Sequence, residues 1–171
     1  MDESDAATSH PTFVKYIERS RDFYAAKGYE KQYRWARFSE VPFAKLDKPL
    51  SECRVTLVTT ARPIVELVQV DEVSRAGKQV WSGSTEEPPD SLYTDHVAWD
   101  KEATHTDDVE SFLPIGHLRA FAESARIGAV AKRFHGVPTE FSQRRTLEQD
   151  APEILSRCRE DNVDVALLIP L

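Results

Sequence analysis

Val163-Asp164-Val165-Ala166-Leu167-Leu168-Ile169 has six apolar residues in seven and lacks the alternation of a half-solvated strand, so it predicts a β-strand buried on both faces. Upstream, Leu147, Ile154 and Leu155 recur at helical spacing. Asp150 and Glu153 fall in the early turns of this stretch and Arg157 and Arg159 in the late ones, the order that complements a helix dipole. Thr146 is the expected cap, and Pro152 shifts the regular helix start towards Ala151. The same pairing occurs one unit earlier. Pro114 opens a helix with Ile115, Leu118, Phe121 and Ala122 on one face, and Ile127-Gly128-Ala129-Val130-Ala131 follows as a short strand. A first strand, Arg54-Val55-Thr56-Leu57-Val58-Thr59-Thr60, is β-branched and ends in small hydroxyl residues. Strand, helix, strand, helix, strand implies parallel pairing with right-handed crossovers. The expected fold is α/β: a parallel or mostly parallel sheet with flanking helices, a flavodoxin-like open sheet, incomplete at its C-terminus because no loop and covering helix follow residue 169.

Between the first strand and Pro114 the pattern is weaker. Pro63 interrupts the first strand, and residues 64–73 are apolar enough for either a strand or a helix. Residues 77–81 and Leu92-Tyr93-Thr94 are short strand candidates around the turn signals Ser82-Gly83-Ser84 and Pro88-Pro89. The expected organisation is one domain, residues 51–171, preceded by an N-terminal helical extension over residues 1–50. In that extension Phe13, Tyr16, Ile17 and Tyr24 have helical spacing before a Gly28-Tyr29 break, which predicts an amphipathic helix packed on the main domain.

A chain of 171 residues can bury a sizeable core without disulfides or metal. No apolar run reaches the roughly 18 residues of a spanning helix. The acidic start, Asp2, Glu3 and Asp5, has no apolar stretch behind it and does not read as a secretory signal, so a cytoplasmic location is expected. The formal charge of −7 argues against a nucleic-acid partner. The acidity is concentrated: residues 84–111 hold nine acids against Lys101 alone, which leaves the rest of the chain close to neutral. Cys53 and Cys158 have neither disulfide-framework nor metal-ligand spacing and are expected to be small buried residues.

Ligands of open α/β sheets bind beyond the carboxyl ends of the strands. Two such places are occupied by reactive residue types: Thr59 and Thr60 after the first strand, and Arg133 with His135 after residue 131, a pair suited to an anionic group. The acidic loop adds His96, Asp100, His105 and Asp108. Two histidines among carboxylates fit a polar active-site wall, a divalent-metal site through His96 and His105, or an internally bonded solvated loop. His10 and His117 read as ordinary surface and helix positions. No GxSxG, P-loop or GxGxxG motif is present, and no catalytic nucleophile is expected within the chain.

From Tyr93 onward the chain resembles the selenoprotein B family of glycine, sarcosine and betaine reductases, to which D-proline reductase is related. The resemblance is carried by the loop with His96, Asp100 and Asp108, by Phe112-Leu113-Pro114 leading to Leu118, and by Ile127-Gly128-Ala129-Val130-Ala131. Arg133 with His135 and Gly136, Asp150-Ala151-Pro152-Glu153-Ile154, and residues 161–170 extend it. The 54–60 strand also fits, whereas Ala61-Arg62-Pro63 stands where members of that family tend to have glycines. The resemblance implies reductive C–N cleavage of a small amine or amino-acid-derived substrate by a selenolate or thiolate. His96, Asp100, Asp108, Arg133, His135, Thr59 and Thr60 would then bind substrate. It also implies a pyruvoyl group on a partner subunit, a redox carrier protein and an oligomeric assembly. The family's selenocysteine or cysteine directly follows the strand equivalent to residues 163–170, so the nucleophile is expected after Leu171, encoded by a UGA codon read as stop. The alternatives are a divalent-metal-dependent hydrolase or lyase built on the loop from His96 to Asp108, and a non-catalytic α/β binding or assembly subunit.

Overall fold

The computed structural model describes residues 16–31, 36, 38–42, 44–63, 79–94, 102–137 and 142–171. It is a mixed α/β structure around a mostly parallel sheet. Strand β1 (Arg54–Thr59) runs through the middle, where its β-branched residues are buried. On one side it pairs in parallel with β5 (Ala129–Val130) and then β6 (Arg133–Gly136). On the other it pairs in parallel with β7 (Val165–Ile169), in the register Val55–Val165 to Thr59–Ile169. Strand β3 (Trp81–Ser84) adds antiparallel to β6. Two short strands, β2 (Arg62–Pro63) and β4 (Leu92–Tyr93), form a separate antiparallel ladder.

One face of the sheet carries the core. Val55, Leu57 and Phe134 meet Ile115 and Leu118 of α2 (Ile115–Glu123), together with Leu92, Phe112, Leu113 and Ile127. Strands β3 and β6 pack aromatics over glycines: Phe134 lies opposite Gly83 and Trp81 opposite Gly136, with each ring in the space a Cβ would fill. The two rings meet edge to face at 5.3 Å. The opposite face carries α3 (Ala151–Glu160), with Cys158 buried beneath it.

Three expectations are corrected. The strand predicted to end at residue 131 resumes as β6 after a bulge. Between the paired positions Val55–Val130 and Val58–His135, this strand takes five steps and β1 takes three. Thr85 takes up the displaced carbonyls: its N–H bonds the Lys132 oxygen at 2.9 Å and its hydroxyl bonds that of Ala131 at 2.5 Å. Arg133 and His135 therefore lie within a strand, not beyond one. Second, the last helix starts earlier than Thr146. The Ser142 hydroxyl accepts from Arg145 N–H, and the helical turn Gln143–Arg145 passes through a π-turn, Thr146–Asp150, into α3. The wider turn brings Pro152, which has no N–H to give, into the first turn of α3. Third, β7 is not buried on both faces. It is bonded to β1 alone, and Ala166, Leu167 and Leu168 are exposed, Leu168 at 75%.

The N-terminal extension contains α1 (Tyr16–Ala26), ended by Gly28 at φ +83°. None of its described side chains is buried; Phe23, Tyr24 and Tyr29 stack edge to face on one another. Among the described residues no helix is long and apolar enough to cross a membrane. Both cysteines are free and buried, as expected.

Candidate functional site

The carboxyl edge of the parallel strands is built from three hydroxyl and backbone contacts. Thr59, buried beneath β1's exit, accepts a bond on Oγ1 from Ala61 N–H at 3.1 Å, closing the turn that carries the chain off the sheet. Ala61 is itself buried, and Arg62 and Pro63 go straight into the ladder with Tyr93 and Leu92. Thr60 Oγ1 accepts from the Leu171 N–H at 2.8 Å and donates to the Leu171 carbonyl at 3.2 Å. This two-way latch ties the exit of β7 to the exit of β1. Val137 N–H bonds the Thr59 carbonyl at 2.9 Å, which brings the end of β6 to the same edge.

Arg133 and His135 are placed elsewhere, on the α3 face of the sheet. The Arg133 guanidinium is bidentate to Asp161, with Nε to Oδ2 at 2.8 Å and Nη2 to Oδ1 at 3.0 Å, and reaches Glu160 at 3.1 Å. These bonds raise its pKa above the ordinary guanidinium value and use the fork that would otherwise receive an anion. His135 is fully buried, with Nδ1 2.9 Å from Ser82 Oγ. Arg157 Nη1 donates to that same Ser82 oxygen at 2.8 Å, and Arg157 Nε donates to Glu153 at 2.8 Å. Because arginine can only donate, the Ser82 proton is directed to His135 Nδ1, which leaves the imidazole proton on Nε2. Nε2 is buried without a partner.

Burial, and after it the positive charge of Arg133, holds His135 below its ordinary value of 6.5; Arg157 acts in the same sense, and Asp161 and Glu160 oppose it. A base with a depressed folded-state pKa binds fewer protons folded than unfolded. Its contribution is therefore fully present above pH 6.5 and is lost as the pH falls from there towards the folded value. The urea midpoint is expected to drop between pH 7.5 and 5.5, and the drop should shrink in His135→Asn. An equal drop in both proteins would assign the effect to other groups.

The described part of the acidic loop is local in its bonding. His105 is exposed and contacts Asp107, its Nδ1 accepting from Asp107 N–H at 3.3 Å. Asp108 is exposed, and its carbonyl accepts from Ser111 Oγ at 2.6 Å. Glu110, not singled out by sequence, caps α2: its carboxylate accepts from Gly116 N–H at 2.9 and 3.1 Å. An acid just ahead of a helix start was the available signal. His96 and Asp100 lie outside the described residues. Among the described residues no group of three or more His, Cys, Asp or Glu could hold a metal ion.

The structure thus joins Thr59 and Thr60 at one sheet edge with the end of β7, and sets Arg133 and His135 on the α3 face. Ser82, Arg157 and Asp161 were missed because their partners are 53, 75 and 28 positions away in sequence. Comparison with protein-family models, curated proteins and solved structures gives no match to this chain.

Proposed function

We propose that this chain is the scaffold of a cytoplasmic selenoprotein B-like reductase subunit, a flavodoxin-like open sheet acting on a small amine or amino-acid-derived substrate. One observation carries the reading: the Thr60–Leu171 latch, which delivers whatever follows β7 to the carboxyl edge beside Thr59 and Thr60. That edge is where α/β sheets collect ligands. A selenocysteine or cysteine following Leu171 would be ionised at neutral pH and would attack the carbon bearing the amine; the Se–C or S–C bond forms as the C–N bond breaks and the amine leaves. Activation of the amine is assigned to a pyruvoyl group on a partner subunit, and resolution of the selenoether to a redox carrier protein. In this chain, Thr59 and Thr60 shape the edge. Cys53 and Cys158 are unsuited as nucleophiles, being buried, with the Cys158 thiol pushed up by desolvation.

The test is the coding sequence after the Leu171 codon. A UGA in an open frame with a cysteine codon three positions on is expected. Replacing the encoded selenocysteine by serine in the longer protein should then lower turnover by more than about 10³-fold, as loss of an enzymic nucleophile does. A UAA or UAG codon would overturn the reading in favour of a non-catalytic assembly subunit.

A further inference from the structure

Strand β7 has the features that proteins usually avoid at a sheet edge. It is five residues of Val, Ala, Leu, Leu and Ile, with no charge, bulge or proline within it. Beside it, on the α3 face, runs an apolar groove of about 380 Å³ walled by Val58, Ile154, Leu155, Val165, Ala166 and Leu168. Leu155 and Leu168 project from it, 49% and 75% exposed. We propose that this edge and groove dock a second copy of the chain, β7 pairing antiparallel with the second copy's β7 about a two-fold axis through Leu167.

The backbone sets the register. Asp164 N–H bonds the Arg54 carbonyl at 2.9 Å, so by strand alternation Ala166 and Leu168 also turn their peptide groups to β1. Val165, Leu167 and Ile169 turn theirs to the open edge. In antiparallel pairing, residues directly opposite share a face, so an odd-numbered residue must meet an odd-numbered one. Centring on Leu167 sets Val165 against Ile169, Leu167 against Leu167 and Ile169 against Val165, and all the free N–H and C=O groups of β7 are satisfied. Centring on Ala166 or Leu168 leaves one of the three outward residues without a strand partner. The side chains agree with the Leu167 register: on the groove face the small Ala166 receives the exposed Leu168 of the second copy.

Charge selects a second copy as the occupant. Asp164 falls opposite Pro170, and its carboxylate is already paired with Lys48 at 2.8 Å, so no like charges oppose each other along the strand. The two-fold also sets the α3 helices antiparallel on one face of the joined sheet. Each helix is led by Glu148 and ends with Arg159, both exposed, so the acidic start of one faces the basic end of the other, with Leu155 and Leu168 of both copies between them. An isologous interface requires this self-complementarity.

Sedimentation of the 171-residue chain at tens of micromolar should give twice its 19.4 kDa mass. Leu168→Lys, at a position exposed in the single chain, should weaken dimerisation at least tenfold with an unchanged circular dichroism spectrum. Leu167→Cys should oxidise to a covalent dimer, because opposed residues of a hydrogen-bonded pair have Cα atoms about 5.5 Å apart, within disulfide reach. Leu168→Cys, offset from its own copy, should not, and the unsubstituted chain with both cysteines buried is the control. A monomeric chain would overturn the proposal and give the edge to another occupant, such as a strand from residues beyond 171 or from a different protein. A dimer that survives Leu168→Lys and does not cross-link at Leu167 would overturn it equally.

Discussion

Phe134→Ala is expected to cost about 3–5 kcal/mol of folding stability, the range for emptying a buried phenylalanine site. Against a total of roughly 5–15 kcal/mol for a natural domain, that is a third or more of what holds the protein folded. Phe134 is fully buried on β6, between β1 and β3, where its ring packs on Gly83 and meets Trp81 edge to face. Collapse cannot refill the space cheaply. The opposing residue is a glycine, and the neighbouring Trp81 is itself seated over Gly136. The denaturant midpoint should fall with an unchanged slope, the sign of lost stability without a change in the surface exposed on unfolding. A loss under about 1 kcal/mol would mean that this side chain does not face the core, and the β3–β6 register would be wrong.

The same strand shows what can be read from sequence. Residues 54–59 and 165–169 were legible as strands because an unbroken apolar or β-branched run has few other uses in a chain of this composition. The helix after Pro114 was legible because Ile115 and Leu118 repeat at helical spacing, and both are buried. The bulge at Ala131 and Lys132 was not legible. Two residues leave the β1 register, and what stabilises them is Thr85, more than forty positions earlier. The charged Lys132 and Arg133 read as the end of a strand when they are its kink. The edge position of β7 was equally hidden, since apolarity reports a preference for burial and not the neighbour that provides it. At the candidate site, hydroxyls after β1 could be flagged from the rule of strand ends, and the latch from Thr60 to Leu171 is consistent with that. Arg133 could be flagged only as a cation. That Asp161 takes both of its donor edges depends on a turn after α3 that no local pattern announces.

Gly128→Ala and Gly116→Ala should have opposite outcomes although the chemistry added is the same methyl group. At Gly128, where the chain enters β5, the N–H bonds the Cys53 carbonyl at 2.9 Å, and a Cβ would lie 2.5 Å from the Glu52 carbonyl carbon and 2.9 Å from Cys53 N. Those atoms are backbone, and Cys53 leads directly into β1, so relief requires moving the start of the central strand. A loss of about 2–3 kcal/mol is expected, the upper part of the range for overpacking. At Gly116 a Cβ would meet only the Glu110 carboxylate, at 3.2 Å, the far end of a flexible side chain. The bond from Gly116 N–H to that carboxylate can persist while alanine's helix preference acts in α2, so the change should stay within about 0.5 kcal/mol of neutral. Parallel urea titrations of the two variants decide the matter. Equal losses would show that the close approach of residue 128 to the Glu52–Cys53 peptide does not constrain the sheet, and the parallel β1–β5 pairing at Arg54 and Ala129 would lose its steric basis.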